Sequence, residues 1–166
     1  MGLAGDVMAV LTTKGLTETI KMLENIEGNT DYIIEKALTE GGGEVCDVMR
    51  DEVSKLRTSD EYAGGNGKRY AKPTDKKGLL ESLGYTPVQL NGSVFDINCG
   101  WDGYNKDKTK KYPKGHANRM IANAINKGTS FLIAQPFINR TQRKAREAAI
   151  KKIQDVFDEE IAKLNK

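Results

Sequence analysis

Hydrophobic residues recur at helical spacing over two long stretches of the chain. The first stretch predicts a helix that begins at Asn29 or Thr30, because either side chain can accept a bond from the free amides of a first turn. Its apolar stripe comprises Ile34, Leu38, Val45, Met49, Val53 and Leu56. The stripe keeps its phase across Gly41, Gly42 and Gly43, which favours one continuous helix over two helices broken at the glycines. Such glycines usually allow another backbone to approach closely.

The second stretch predicts an amphipathic helix at the C-terminal end. Its apolar positions are Ile150, Ile153, Phe157, Ile161 and Leu164. Lys, Arg, Asp and Glu occupy the opposite face. Two shorter helices are expected, one over 16–26 and one over 117–127 that ends at Gly128, with a strand as the alternative for the second.

Alternating apolar and polar residues predict a β-hairpin between these helices. The dipeptide Asn91-Gly92 is a strong turn signal, and it separates a strand over 85–90 from a strand over 93–101. One face of the second strand is expected to be buried. That face carries Phe95, Ile97, Cys99 and Trp101.

The position of the turn also predicts the register of the hairpin. A two-residue turn at Asn91-Gly92 would pair Leu90 with Ser93 and would place Val88 on the same face as Phe95. Since Pro87 cannot donate a hydrogen bond to the ladder, the first strand should lie at an edge or contain a bulge.

Two lysine-rich segments lack apolar periodicity. Residues 58–78 and 102–117 are predicted to be mobile surface loops, and residues 1–14 are expected to be disordered. The chain is therefore predicted to be a single α+β domain over 1–166. In that fold a long N-terminal helix and a C-terminal helix pack on a small antiparallel sheet built around a β-hairpin, with long basic loops.

Charge is distributed unevenly along the chain, although the net charge is only +3. Residues 1–60 carry 12 acidic and 6 basic side chains, whereas the remainder carries 11 acidic and 20 basic side chains. This asymmetry predicts a nucleic-acid surface, a basic loop that faces a neighbour's acidic helix, or solvated loops that keep the protein soluble. The candidate interaction residues are Lys68, Arg69, Lys72, Lys106, Lys108, Lys110 and Lys111. Tyrosines between these lysines, at 70, 104 and 112, are typical of loops that contact nucleic acid.

The sequence provides little support for a catalytic or metal site. His116 is the single histidine, whereas zinc sites need three or four donors, and no G-x-S-x-G motif accompanies it. The glycines before Lys68 lack the spacing of a phosphate-binding P-loop. Asp158, Glu159 and Glu160 are consecutive, so they fan apart on a helix and are expected to be solvated. We therefore expect no catalytic, cofactor-binding or metal-binding residue, and a protein that is not an enzyme.

Cysteine usage and hydropathy indicate the expected environment. Cys46 and Cys99 show no metal-binding spacing, so reduced thiols in a cytoplasmic setting are expected, with Cys99 as a small buried side chain. No apolar run approaches the roughly 18 residues of a membrane span. The first ten residues lack a basic segment, so a signal peptide is not expected.

Three short motifs follow one another in the second half of the chain. They are Gly78-Leu79-Leu80-Glu81-Ser82-Leu83, Gly128-Thr129-Ser130 and Ala134-Gln135-Pro136-Phe137-Ile138. Over residues 15–165 their order and spacing resemble the neck and minor tail-component family of tailed phages, the gene-product-ten-like family of lambdoid phages. In that family a G-x-L-x-x-S motif, a β-hairpin, a Gly-Thr turn, an A-x-P-F motif and a final helix occur in this order.

The resemblance implies a virion structural protein that joins head to tail, without catalytic residues or a cofactor. It implies a homo-oligomeric ring that contacts other neck, connector and tail proteins and the passing DNA, but no membrane. Such a protein would reside in the host cytoplasm during assembly and then in the virion. Gly128 would supply a positive φ, Pro136 an extended segment, and Phe137 an anchor for the last helix on the hairpin. The alternative is a small nucleic-acid-binding or regulatory protein that uses the basic loops.

Overall fold

The computed structural model describes residues 9–12, 29–60 and 67–164, which form four helices and four strands. In chain order these are β1 (Ala9–Thr12), α1 (Thr30–Ser54), α2 (Pro73–Ser82), β2 (Leu83–Tyr85), β3 (Gln89–Asn91), β4 (Val94–Trp101), α3 (Asn118–Lys127) and α4 (Phe137–Leu164). The two long helices and the small antiparallel sheet confirm the predicted α+β class. The helix predicted over 16–26 lies outside the described residues.

The central element is α1, which packs against α4 on one side and against β4 on the other. The prediction of one continuous helix is confirmed. Its buried positions come in adjacent pairs, such as Ile33 with Ile34 and Val45 with Cys46. A helix that buries two neighbouring stripes needs partners on both, and α1 therefore forms the middle layer of the molecule.

Glycine sets the distance between α1 and the sheet. A Cβ atom added to Gly42 would lie 2.8 Å from Cδ1 of Ile97, which is too close for undisturbed packing. A Cβ atom added to Gly43 would meet nothing within 4 Å. The expected close approach at these glycines is thus made by a side chain of β4, not by a backbone.

The sheet is built around β4, which pairs antiparallel with β1 on one side and with β2 and β3 on the other. The predicted alternation is confirmed from Ile97 onwards, since Ile97, Cys99 and Trp101 are buried and the residues between them are half-buried. Phe95, predicted on the same face, is only half-buried. Residues 9–12, within the segment expected to be disordered, pair with 96–99 of β4. A strand of four residues is too short for periodicity to distinguish it from a loop.

The predicted hairpin register is wrong, because the turn lies one residue later in the chain than expected. Leu90 pairs with Phe95 and Asn91 pairs with Val94, so the two turn residues are Gly92 and Ser93. Gly92 has φ 67°, which suits the first central position of a hairpin turn. Because the slip moves each partner by two residues, Val88 and Phe95 still pack against the same cluster, as predicted.

The predicted bulge at Pro87 is confirmed. Three residues lie between Tyr85 and Gln89, but only two lie between their partners Cys99 and Asp96, so one extra residue interrupts the edge of the sheet. Thr86 repairs the ladder beside the bulge. Its amide donates to the carbonyl oxygen of Asn98 over 2.8 Å, and its hydroxyl accepts the Asn98 amide over 3.1 Å.

The loop predicted over 58–78 is wrong in its last part, because α2 begins at Pro73. Proline is favoured in the first turn of a helix, where its missing N–H would have no partner. Asp75 completes the start of α2 by accepting the Lys72 amide. Residues 102–117 contain no helix or strand, as expected, and α3 confirms a helix over the ambiguous segment that follows.

The last helix begins thirteen residues before the first predicted apolar position. Ile150, assigned to the stripe, is 39% exposed, because the buried face instead continues backwards through Ala149 and Ala145 to Phe137. These alanines let α4 lie close along α1. The two helices are antiparallel, since Lys36 near the start of α1 pairs with Glu160 near the end of α4.

A disulfide joins Cys46 of α1 to Cys99 of β4, with their Cα atoms 6.0 Å apart. The expectation of two reduced thiols is therefore wrong. Cysteines 53 residues apart carry no pairing signal in the sequence, and only the packing of α1 on β4 brings them together. Cys99 is buried, as predicted.

Replacing Gly42 or Gly43 with alanine should give proteins of different stability. Gly43→Ala should stabilise the protein by about 1 kcal/mol, because alanine is the better helix former and the site is open. Gly42→Ala should be less stable than Gly43→Ala, because its methyl group meets Ile97. Adding Ile97→Val to both alanine variants removes Cδ1 of Ile97. The difference between their free energies of unfolding should therefore become smaller. Equal free energies of urea unfolding for the two alanine variants would contradict this packing.

Removing the disulfide should destabilise the protein by about 2–4 kcal/mol, as expected for a closed loop of this length. The variant is Cys46→Ala/Cys99→Ala, and its unfolding in urea is compared with that of the oxidised protein. Because a disulfide has no thiol to alkylate, iodoacetamide should add no mass to the native or unfolded protein until it is reduced. Immediate labelling of two thiols after unfolding without reductant would show that the disulfide is absent.

Candidate interaction surface

The two lysine-rich segments lie side by side. Lys72 Nζ is 3.3 Å from a carboxylate oxygen of Asp107, and the Asn105 side-chain amide donates to Asp75 over 3.2 Å. We call residues 67–77 and 102–119 together the basic surface. The fold thus joins two stretches that are about thirty residues apart in the sequence.

Residues 104–117 fold back on themselves to form a projection that we call the lysine arm. At its base Tyr104 forms an antiparallel bridge with Ala117. At its tip the backbones of Thr109 and Tyr112 exchange two hydrogen bonds of 3.0 Å. Lys110 and Lys111 therefore occupy a closed turn at the end of the arm.

The base of the lysine arm requires a glycine. Gly115 has φ 94°, and a Cβ atom there would lie 2.0 Å from the carbonyl oxygen of Asn105. The Asn105 side chain also accepts the amide of His116 over 2.8 Å. These contacts give the arm a defined base, while its mobility stays a prediction.

His116 contacts an aromatic ring and no cluster of metal ligands. Its ring centroid is 4.2 Å from that of Tyr112. Within residues 9–12, 29–60 and 67–164, no group of three or more His, Cys, Asp and Glu side chains could hold a metal ion.

The basic surface carries far more positive charge than the protein as a whole. It contains eleven Lys and Arg against three Asp, a net charge of +8 in a chain of net charge +3. Five exposed lysines of the arm contact no carboxylate among the described residues. They are Lys106, Lys108, Lys110, Lys111 and Lys114.

The first segment is more involved in packing than the arm. Lys76 donates to the carbonyl oxygen of Leu56 over 3.0 Å, and Lys72 is paired with the arm as described. Arg69, half-buried next to Lys68, forms a parallel bridge with Leu132. Four of the seven predicted interaction residues therefore lie on the arm, Lys72 links the two segments, and Lys68 and Arg69 lie beside the 129–133 loop.

The three tyrosines among the lysines have different environments. Tyr104 at the base of the arm is 57% exposed. Tyr70 accepts a hydrogen bond from Arg57 over 3.0 Å, and the guanidinium also lies over its ring. Tyr112 lies against His116. Of these three tyrosines, Tyr104 has the highly exposed ring, two residues before Lys106.

The residues of the Gly78 motif have structural roles in α2. Leu79 is completely buried in the core. The Ser82 hydroxyl donates to the Gly78 carbonyl oxygen over 2.7 Å, one helical turn earlier.

The other two motifs shape the connection between α3 and α4. Gly128 has φ 77° and ψ 171°, a conformation open essentially to glycine alone, so the predicted positive φ is confirmed. The Thr129 hydroxyl accepts the amide of Leu132 over 3.0 Å. After Pro136, Phe137 is fully buried and meets Trp101 of β4 edge-on at 5.7 Å, which confirms its role as an anchor on the hairpin.

Two buried glutamates were missed by the sequence analysis. Glu52 lies in the contact between α1 and α4, 2.7 Å from Arg140 and 2.5 Å from Lys144. Glu160, expected to be solvated, is buried and pairs with Lys36 and Lys163. Glu52 lies three residues after Met49 and therefore falls on the buried stripe of α1. This position is the sequence signal that could have identified Glu52 as buried.

Electrostatics agree with a structural role for these glutamates. Burial alone would raise the pKa of Glu52, but hydrogen bonds from Lys144 and Arg140 outweigh it and lower the pKa to about 2. Hydrogen bonds from Lys163 and Lys36 lower the pKa of Glu160. Both carboxylates are thus ionised at neutral pH and bound at opposite ends of the helix pair.

Comparison with known proteins gives no match to a family model, to a curated protein or to a solved structure. Among the helices of the described residues, none is both long and apolar enough to cross a membrane.

Glu52 should make folding stability depend on pH under acidic conditions. Its pKa is lower in the folded protein, so its contribution is complete above about pH 4.5 and is lost as the pH falls towards about 2. The shift corresponds to about 3 kcal/mol, and solvent screening of the half-exposed cations reduces the expected loss to about 2 kcal/mol. Glu52→Gln should lower the unfolding free energy at neutral pH by this amount and flatten its acid dependence.

The neighbouring Asp51→Asn is the matched control for Glu52→Gln. Asp51 is exposed and, among the described residues, pairs with Lys55 alone, so its loss should change stability by less than about 0.5 kcal/mol. Urea unfolding at several acidic pH values measures both variants. An equal effect of the two substitutions would contradict a stabilising role for the buried glutamate.

Proposed function

We propose that this chain is a phage virion structural protein of the neck or tail-completion region that joins head to tail, as a ring of identical copies. The observation that carries the proposal is the ordered set of three motifs and the hairpin between the first two. Their residues contribute to the core, as Leu79 and Phe137 do, or to the tight turn between α3 and α4, as Gly128 and Thr129 do. Contacts in such a ring are heterologous and close by rotation.

The interior of the protein supports a static role. The buried ionisable side chains among the described residues are Glu52 and Glu160, and both are bound by cations that belong to the helix pair. A carboxylate held in this way stabilises a scaffold and is poorly suited to proton transfer near neutral pH. We therefore propose that the protein is not an enzyme.

Deletion of the gene tests this proposal. Phage that lack the protein should accumulate DNA-filled heads and separate tails in electron micrographs, because the joint between them is incomplete. Supplying the intact chain from a plasmid should restore infectious particles. Normal numbers of infectious particles without the protein would refute the proposal.

A second candidate function is a small nucleic-acid-binding or regulatory protein. The net charge of +8 on the basic surface favours it, because phosphate backbones attract such surfaces. The same deletion separates the two candidates. Loss of a regulatory protein would change DNA replication or gene expression and would leave heads and tails joined.

A further inference from the structure

We propose that the lysine arm binds the phosphate backbone of duplex DNA, independently of base sequence. The location of this contact, in the channel of a ring, rests on the proposed function. The binding itself depends only on the charge and shape of the arm.

The first argument is that the lysines of the arm are not paired with carboxylates among the described residues, although Lys111 Nζ lies 5.6 Å from the centroid of the Tyr112 ring. Several exposed cations elsewhere are paired with carboxylates, as in Arg50 with Asp47 and Lys152 with Glu40, although, within the part of the chain that the structure describes, Arg146 and Lys151 of α4 are not. The arm differs in density, because five exposed lysines within residues 106–114 contact no carboxylate among the described residues. A concentrated positive charge of this kind attracts an external polyanion.

The second argument is the geometry of the arm. The turn between Thr109 and Tyr112 places two consecutive lysines at the tip of the arm. Gly115 allows the second half of the arm to lie against Asn105. Lysine acts as a flexible point charge that can follow phosphates without fixed geometry. A narrow projection with lysines along its length suits contact with a backbone more than the reading of bases.

The third argument is the exposed ring of Tyr104 at the base of the arm. Aromatic side chains among lysines are common on surfaces that bind nucleic acid, where a tyrosine hydroxyl can also contact phosphate. A purely solubilising loop has no need of a ring that is 57% exposed.

The main rival partner is the acidic end of a second copy of this chain. Exposed carboxylates gather where the start of α1 meets the end of α4, and they include Asp31, Glu35, Asp158 and Glu159. These four charges would balance about half of the net +8 of the basic surface. Duplex DNA offers one phosphate charge for roughly every 1.7 Å of its axis, which is enough to engage every lysine of the arm.

The experiment measures the affinity of the full-length protein for a fluorescein-labelled duplex by anisotropy over a range of salt concentrations. With about five phosphates engaged, affinity should fall on the order of 500-fold between about 50 and about 200 mM salt. Lys110→Gln/Lys111→Gln should reduce the log–log salt slope by about 2, since each phosphate contact contributes roughly 0.9. Duplexes of unrelated sequence should bind equally.

The matched control is Arg146→Gln/Lys151→Gln, which removes the same charge from the exposed face of α4 and should leave the slope nearly unchanged. Equal effects of the two double variants would overturn the proposal, because net charge alone would then explain binding. No binding at about 50 mM salt would overturn it as well.

Sedimentation of the same variants tests the rival partner. If Lys110→Gln/Lys111→Gln dissociates an oligomer and leaves DNA affinity unchanged, the arm binds a second copy and the proposal is wrong.

The outcome of the phage-assembly experiment is independent of the outcome for DNA binding. If phage that lack the protein form normal particles, the neck function is refuted even if the arm binds DNA. If the deletion separates heads from tails but the arm does not bind DNA, only this inference is refuted.

Discussion

The fold depends on the burial of one helix on two sides. Because α1 carries adjacent apolar stripes, it can exclude water only if α4 covers one stripe and the sheet covers the other. Gly42 sets how near the sheet can come, and the alanines of α4 set how near the second helix can come. Every other element is attached to this three-layer arrangement.

Electrostatic and covalent contacts fix the position of α1 within these layers. Glu52 binds α4 at one end of the helix and Lys36 binds it at the other, so a slip of one helical turn would leave a buried carboxylate without a partner. The disulfide at Cys46 fixes the helix to β4 in the same way. The core is therefore held in a single register.

Sequence periodicity predicted the type and continuity of the long elements. It did not predict the hairpin register or the start of α4. The continuous α1, the buried face of β4 and the bulge at Pro87 followed from spacing and from proline chemistry. The hairpin register was missed because Asn91-Gly92 and Gly92-Ser93 are both good turn dipeptides, and only packing selects between them. The start of α4 was missed because Ala145 and Ala149 are too small to mark an apolar stripe.

The candidate surface was predictable in its residues but not in its arrangement. Composition identified the lysines, yet nothing local indicates that Lys72 meets Asp107 or that 104–117 folds into an arm. The glutamates of the helix pair were missed for a related reason. A charged residue on an apolar stripe is recognised as an ion-pair site only when the partner helix is known.

The bulge beside Pro87 also affects how the protein behaves at high concentration. An uninterrupted outer strand offers a row of free amides and carbonyls to any neighbouring chain, which is a common route to fibres. Here the outer strand is divided into two pieces of three residues, with a proline between them that lacks an amide hydrogen. The edge formed by β2 and β3 is therefore a poor template, so copies that crowd together cannot readily extend the sheet on this side.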